Sequence, residues 1–232
     1  MIVAMHQPNY FPWLGYFHKI LLADMFLFLD DVQFSKNSYT NRVQIRGGEK
    51  SKWMTIPVSY NFSDPINAVV AARPGWMRSH LDQLRNAYGK AGAFSETWGW
   101  VQGVFEDLKE TSDLASLNRG IVEAVASHLD LDCKFGAASD HNIEGSGDDR
   151  LVALMLATDP RGTYLSGTGG AKYQDASKFE AAGIALRYGD FHHPQYAQAQ
   201  TEFTPGLSVL DALFHLGREN TAALLRQERL SA

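Results

Sequence analysis

The chain has 232 residues, a net charge of −5 and 45% apolar residues, and contains one cysteine, Cys133. This length suits a single sizeable α/β domain, the charge leaves no basic footprint for nucleic acid, and one cysteine supports neither a disulfide framework nor a cysteine-based zinc site. No apolar run approaches the roughly 20 residues that span a bilayer, and the start lacks the basic stretch and small-residue cleavage site of a signal peptide, so a cytoplasmic protein with no membrane span is expected.

Ile2 to Met5 is an apolar run that reads as a central strand. His6-Gln7-Pro8 ends it. Pro8 removes a ladder donor and Pro12 restricts the residue before it, so residues 6–12 form a loop. Leu14, Phe17, Leu21 and Leu22 recur at helical spacing, with Lys19 and Asp24 off that stripe, which predicts a helix of about three turns. Met25 to Leu29 is a second apolar run, ended by Asp30-Asp31. In a parallel strand–helix–strand unit both strands lie side by side and ligands sit beyond their carboxyl ends. His6, Gln7, Asp30 and Asp31 are therefore expected on one rim.

Gln33 to Arg46 is polar and reads as a loop over that rim, with Gln33, Asn41 and Arg42 as ligand candidates; Arg42 suits a phosphate or carboxylate, or a pairing with an acid such as Asp30. Gly47 to Lys50 reads as a turn, Trp53 to Val58 and Ile66 to Ala71 as strands. Residues 75–135 change to helical periodicity, with stripes over Trp76 to Tyr88, Phe94 to Leu108 and Ser116 to Leu129. They are expected to form a helical insertion covering the sheet, with aromatics that serve the core and His80 as a hydrogen-bonded side chain.

Ala137 to Asp149 reads as a loop marking the return to the main domain. Asp148-Asp149-Arg150 opens a helix carrying Leu151, Leu154 and Met155. Thr163 to Leu165 is then a strand, ended by Ser166-Gly167-Thr168-Gly169-Gly170, whose glycines let backbone amides approach an anion. Lys172 and Tyr173 follow within reach. The turn matches neither a P-loop nor the dinucleotide fingerprint. Asp175 to Ala182 is a short helix and Ile184 to Tyr188 a strand running into Asp190, His192 and His193, adjacent histidines that point opposite ways on extended chain. No metal ligand set is assigned. Leu207 to Arg218 is an amphipathic helix capped by Ser208, with Asp211 structural, and Leu224 to Ala232 frays or packs on a second subunit of a homodimer. The fold class that follows is α/β, a mostly parallel, doubly wound, Rossmann-like sheet over residues 1–232 with a helical insertion.

The segment His6-Gln7-Pro8-Asn9-Tyr10, Pro12-Trp13-x-Gly15-Tyr16-Phe17-x-Lys19, Asp24, Leu29 to Phe34 and Asn41-Arg42 closely resembles the start of the WbqC-like family. The likeness continues through Trp53-x-x-Ile56-Pro57-Val58, Tyr164 to Gly167, Gly169-Gly170, Tyr173 and Leu207 to Asp211. Such a resemblance implies a role beside surface-polysaccharide and other sugar-modification genes. Pro12 to Tyr16 also sits where nucleotidyltransferases of the HUP type carry their HxGH signature, keeping the glycine but with Trp13 and Tyr16 in place of the histidines.

Together these readings predict a small transferase acting on an activated, nucleotide-linked sugar or amino sugar, with acyl or aminoacyl transfer implied by the family context. His6 is the candidate general base, with Gln7 beside it. Asp30 or Asp31 orients His6 or holds Mg²⁺ on a nucleotide phosphate, the one cofactor these oxygens invite. Asn9, Tyr10, Trp13, Lys19, Gln33, Asn41, Arg42, Ser166, Gly167, Gly169, Gly170 and Tyr173 are candidates for substrate and phosphate binding. The alternatives are a non-catalytic sugar-nucleotide-binding or assembly protein and an ATP-dependent nucleotidyl transferase.

Overall fold

The computed structural model describes residues 1–48, 50–198 and 202–231. In chain order its elements are β1 (Ile2–His6), α1 (Leu14–Leu21), β2 (Met25–Phe28), β3 (Arg42–Arg46), β4 (Ser51–Thr55), β5 (Val58–Ser59), β6 (Val70–Ala71), α2 (Trp76–Tyr88), α3 (Phe94–Asp107), α4 (Leu114–His128), β7 (Lys134–Ala137), α5 (Gly147–Thr158), β8 (Thr163–Gly167), α6 (Ala176–Ala181), β9 (Ala185–Gly189) and α7 (Val209–Ser231).

Val3, Ala4 and Met5 are all buried, as a strand covered on both faces requires. β1 pairs in parallel with β2 on one side and β8 on the other, with Val3 opposite both Met25 and Tyr164. β7 extends the sheet beyond β2 and β9 extends it beyond β8, giving the order β7-β2-β1-β8-β9 with every pairing parallel. The chain thus builds outward from β1 in one direction, then returns and builds outward in the other. The reversal falls between β1 and β8, where a doubly wound sheet opens its crevice.

Alternation along the strands divides the apolar residues between two layers. Ala4, Phe26, Phe28 and Leu165 pack with residues of α1, α4 and α7, including Phe17, Ile20, Val122 and Phe214. Val3, Met5, Leu27 and Tyr164 pack on the opposite face with Leu154 and Met155 of α5 and Phe179 of α6. Each fully buried large side chain contributes roughly 1.5–3 kcal/mol, so both layers hold β1 and fix where its end lies.

Several segments differ from the sequence expectation. Arg42–Arg46 lies within the stretch read as loop, yet it forms β3, antiparallel to β4 with Val43 opposite Met54. Val43 and Ile45 are fully buried, so a period-two pattern was present beneath the polar composition. The expected strand over Trp53 to Val58 is divided: β4 ends at Thr55, and after Pro57 the chain resumes as β5, because proline cannot donate to a ladder. Ile66–Ala68 is a 3-10 turn preceding the two-residue β6, rather than one longer strand. The return to the main sheet comes at β7, an edge strand missed because Lys134-Phe135-Gly136-Ala137 shows no apolar run. α7 passes Arg218 and continues to Ser231, broken at Gly217 (φ 77°, ψ 175°), where the Glu96 carboxylate accepts the Arg218 N–H at 2.9 Å. Leu225, in the tail expected to fray or seek a partner, is buried in the chain's own core. Glu49 of the expected turn and Ala232 lie outside the described residues. Among the described residues no helix is long and apolar enough to cross a membrane.

Candidate functional site

The chemistry concentrates where β1 ends. His6 Nδ1 lies 3.0 Å from the Gln7 carbonyl, and the Tyr16 hydroxyl donates to the same oxygen at 2.9 Å. A carbonyl only accepts, so Nδ1 carries the imidazole proton and Nε2 keeps its lone pair. Nε2 has no hydrogen-bond partner among the described residues. Tyr16 and Trp13 meet the imidazole edge-on, with centroids 4.8 and 6.1 Å away, and hold the ring in place. Burial, followed by the nearby Lys19 ammonium, pulls the His6 pKa down to about 4. His6 is therefore a neutral acceptor at physiological pH. Lys19 reaches back from α1 to donate to the Met5 carbonyl at 2.7 Å, and burial lowers its pKa to about 8.

These groups line a cleft of about 540 Å³ at the carboxyl ends of β1 and β8. One wall is the start of α1, with Trp13, Gly15, Tyr16, His18 and Lys19; the other is the turn Ser166 to Gly170, with Tyr173 and Gln174 behind it, and Phe191 and His193 close one side. Among the described residues none that lines it is an aspartate or glutamate. The cleft combines one ammonium, neutral imidazole, the amide-rich N-terminus of α1 and a glycine turn, a combination that attracts anions.

Two glycines are fixed by close approach. A Cβ on Gly15 would come within 2.6 Å of the Phe191 ring and 2.8 Å of the Trp13 indole nitrogen. A Cβ on Gly170 would collide with the Ser166 hydroxyl and the Gln174 amide oxygen. At Gly167 and Gly169, in contrast, a Cβ would meet nothing within 4 Å, so these two border open space.

The structure brings His6, Gln7, Trp13, Lys19, Ser166, Gly167, Gly169, Gly170 and Tyr173 into this one cleft. It does not bring the two aspartates there. Asp30 accepts the Ser139 N–H at 3.1 Å and the Ser139 hydroxyl at 2.7 Å, turned toward the segment after β7. The partner of His6 Nδ1 is the Gln7 carbonyl rather than a carboxylate. Asp31 pairs with Arg150 at 2.5 Å. With no carboxylate among the described residues of its wall, the cleft offers few of the oxygen donors that Mg²⁺ prefers.

Other sequence candidates lie further off. Asn9 and Tyr10 are buried, and the Tyr10 hydroxyl donates to His80 Nδ1 at 2.8 Å while His80 Nε2 donates to the Thr55 carbonyl at 3.1 Å. Burial lowers the His80 pKa to about 4. Asn41 is also buried and donates to the Ile56 carbonyl at 3.3 Å. Arg42 stacks over the Trp53 ring at 4.0 Å instead of pairing with Asp30. Tyr39 lies 5.6 Å from Trp53 and 5.3 Å from Trp13, so an aromatic row leads outward from the cleft. Gln33 is exposed beside a second cavity. Asp190 and His192 are exposed and 3.7 Å apart, whereas His193 faces the cleft. Sequence reasoning did not place Tyr16, His18, Gln174 or Phe191 among the site candidates, although Tyr16 stood in the family motif. His18 could have been found from its spacing, since Gly15, His18, Lys19 and Leu22 share one helical face.

The WbqC-like protein family matches residues 7–223, a span that takes in α1, the glycine turn and most of α7. The chain belongs to this family. It is also 30% identical over 223 residues to the uncharacterized protein Rv1507c of Mycobacterium tuberculosis (strain ATCC 25618 / H37Rv), with 94% of each chain covered. In this WbqC-like protein both walls of the acid-free cleft fall inside the matched span.

Proposed function

We propose that this WbqC-like protein is a transferase that binds a nucleotide-linked sugar or amino sugar by its phosphates in the cleft between β1 and β8, and that His6 moves the proton during acyl or aminoacyl transfer. The observation that carries the reading is the cleft's lining: a half-buried lysine, a neutral imidazole with Nε2 unpartnered, and a glycine turn, with no carboxylate among the described residues to repel an anion. Lys19 and the amides of residues 167–170 hold the phosphates. The attacking amine or hydroxyl gives its proton to His6 Nε2 as the new bond to the acyl carbon forms. The bond from that carbon to the leaving group then breaks, and His6 returns the proton to the leaving atom.

A pKa of about 4 makes His6 a weak base in the empty cleft. A bound phosphate raises this pKa in part, because it offsets the Lys19 charge, the smaller, after burial, of the two causes that depress the imidazole. The bound nucleotide thus makes His6 a better base for the transfer. Thermal-shift and binding measurements with UDP- and dTDP-sugars, ATP and acyl-coenzyme A test the reading. A sugar nucleotide should stabilise the protein and lose its effect in Lys19→Met, whereas His6→Gln should retain binding and lose turnover. Undiminished turnover in His6→Gln, or stabilisation by none of these compounds, overturns it.

A further inference from the structure

Beside the phosphate cleft lies a second cavity of about 560 Å³, and Leu29 and Leu151 line both. At its wall stands Arg150, only 8% exposed. Its Nε donates to the Ile143 carbonyl at 3.0 Å and its Nη2 to Asp31 Oδ2 at 2.5 Å. Nη1 has no partner among the described residues. The pairing with Asp31 uses one atom from each side, and Asp31 Oδ1 is buried with no partner. An Arg–carboxylate pair built only to hold structure tends toward a two-point fork. Here the fork is left half open, and a buried guanidinium with an unused N–H gains from any carboxylate that reaches it.

The charges around the cavity narrow the choice of ligand. Arg150 supplies one positive charge, and Asp31 and the exposed Glu144 supply two negative ones. A phosphate dianion would meet net repulsion. A carboxylate that carries its own ammonium would not, because the ammonium is drawn toward the acids while the carboxylate takes the open side of Arg150.

We infer that this cavity binds a free α-amino acid, whose carboxylate is recognised by Arg150. The inference concerns binding and rests on the transfer reading above only for what occupies the adjoining cleft. It places a zwitterion and a sugar nucleotide in adjoining chambers with opposite charge preferences, so neither ligand competes for the other's seat.

The test is an NMR titration of the full chain with L-alanine, acetate, methylamine and inorganic phosphate, repeated on Arg150→Lys and Ser146→Trp. Ser146 is exposed and lines the cavity, so the tryptophan obstructs the cavity while Arg150 and Asp31 themselves stay unchanged. The expected result is that L-alanine binds more tightly than acetate or methylamine, and that each substitution weakens it by about 10- to 100-fold, the effect of losing one charged hydrogen bond. Should Arg150→Lys unfold, Ser146→Trp alone decides. Binding of L-alanine that survives Ser146→Trp, its displacement by phosphate, or its absence in the wild type overturns the inference. A parallel titration with UDP-N-acetylglucosamine separates the two claims: failure of the nucleotide with success of L-alanine removes the sugar-nucleotide assignment alone, and the converse removes only the amino-acid site.

Discussion

Lys19→Met should make this protein more stable and less able to bind anions. The wild-type ammonium sits among apolar walls, and burial lowers its pKa from 10.5 to about 8. That drop corresponds to on the order of 3 kcal/mol of unfavourable charge burial at neutral pH. Part of it is offset, because Lys19 keeps some solvent contact and the Met5 carbonyl would lose a hydrogen bond of about 1 kcal/mol. The net gain for Lys19→Met is about 1–2 kcal/mol, or roughly 2–8 °C in Tm for a chain of this size. The pH dependence fixes the sign. Between pH 8 and 10.5 the unfolded lysine holds its proton while the folded one releases it, so wild-type stability rises with pH across that window. The advantage of the variant should be full below about pH 8 and vanish by about pH 10.5. Urea unfolding of both proteins from pH 7 to 10.5 measures this directly, and calorimetry with inorganic pyrophosphate measures the accompanying loss of affinity, at least about tenfold. A variant less stable than the wild type at pH 7, with pyrophosphate binding intact, would refute the argument and make Lys19 a structural tie to β1.

Three further outcomes follow from named contacts. Asp30→Ala should lose about 1–3 kcal/mol in urea unfolding, because both Ser139 donors lose their acceptor, and leave pyrophosphate affinity unchanged; a loss of binding without destabilisation would return Asp30 to the site. Gly170→Ala should abolish ligand stabilisation while keeping the circular dichroism spectrum, since its Cβ must displace the Ser166 hydroxyl or the Gln174 amide; unchanged affinity would show that the turn yields without consequence. His80, with its pKa lowered from 6.5 to about 4, binds its proton more weakly folded than unfolded, so its contribution is complete above pH 6.5 and falls by on the order of 3 kcal/mol as pH drops toward 4. An imidazole resonance of His80 titrating near pH 6.5 would contradict that assignment.

The order of the main sheet was readable where local pattern and fold rule agreed. Ile2 to Met5 and Met25 to Leu29 are apolar runs separated by one amphipathic helix, and such a unit closes only as neighbouring parallel strands. β7 was hidden because an edge strand is covered less and needs fewer apolar residues; Lys134 is exposed and Phe135 half-buried. β3 was hidden for a different reason. Its arginines and glutamine alternate with Val43 and Ile45, and Arg46 is itself buried against Thr204, so composition suggested loop where spacing indicated strand. A charged residue counts as a surface signal only while its partner is unknown.

The candidate site shows how far position carries an inference from sequence and where side-chain direction takes over. His6 and the 166–170 turn follow β1 and β8, the two strands that flank the reversal of sheet order, and their meeting follows from topology alone. Asp30 and Asp31 follow β2, one strand further out, and topology puts their backbone on the same rim. Which way a carboxylate turns from there depends on what it finds. Ser139 and Arg150 arrive more than a hundred residues later in the chain, at separations of 109 and 119 positions, and draw both acids away from His6. No pattern local to residues 25–31 encodes those partners. Their removal leaves the described lining of the first cleft without a carboxylate and gives the second cavity its half-open arginine, so the pairings that sequence could not supply are the ones that divide the rim into a cleft without acids and a cavity holding a charged pair.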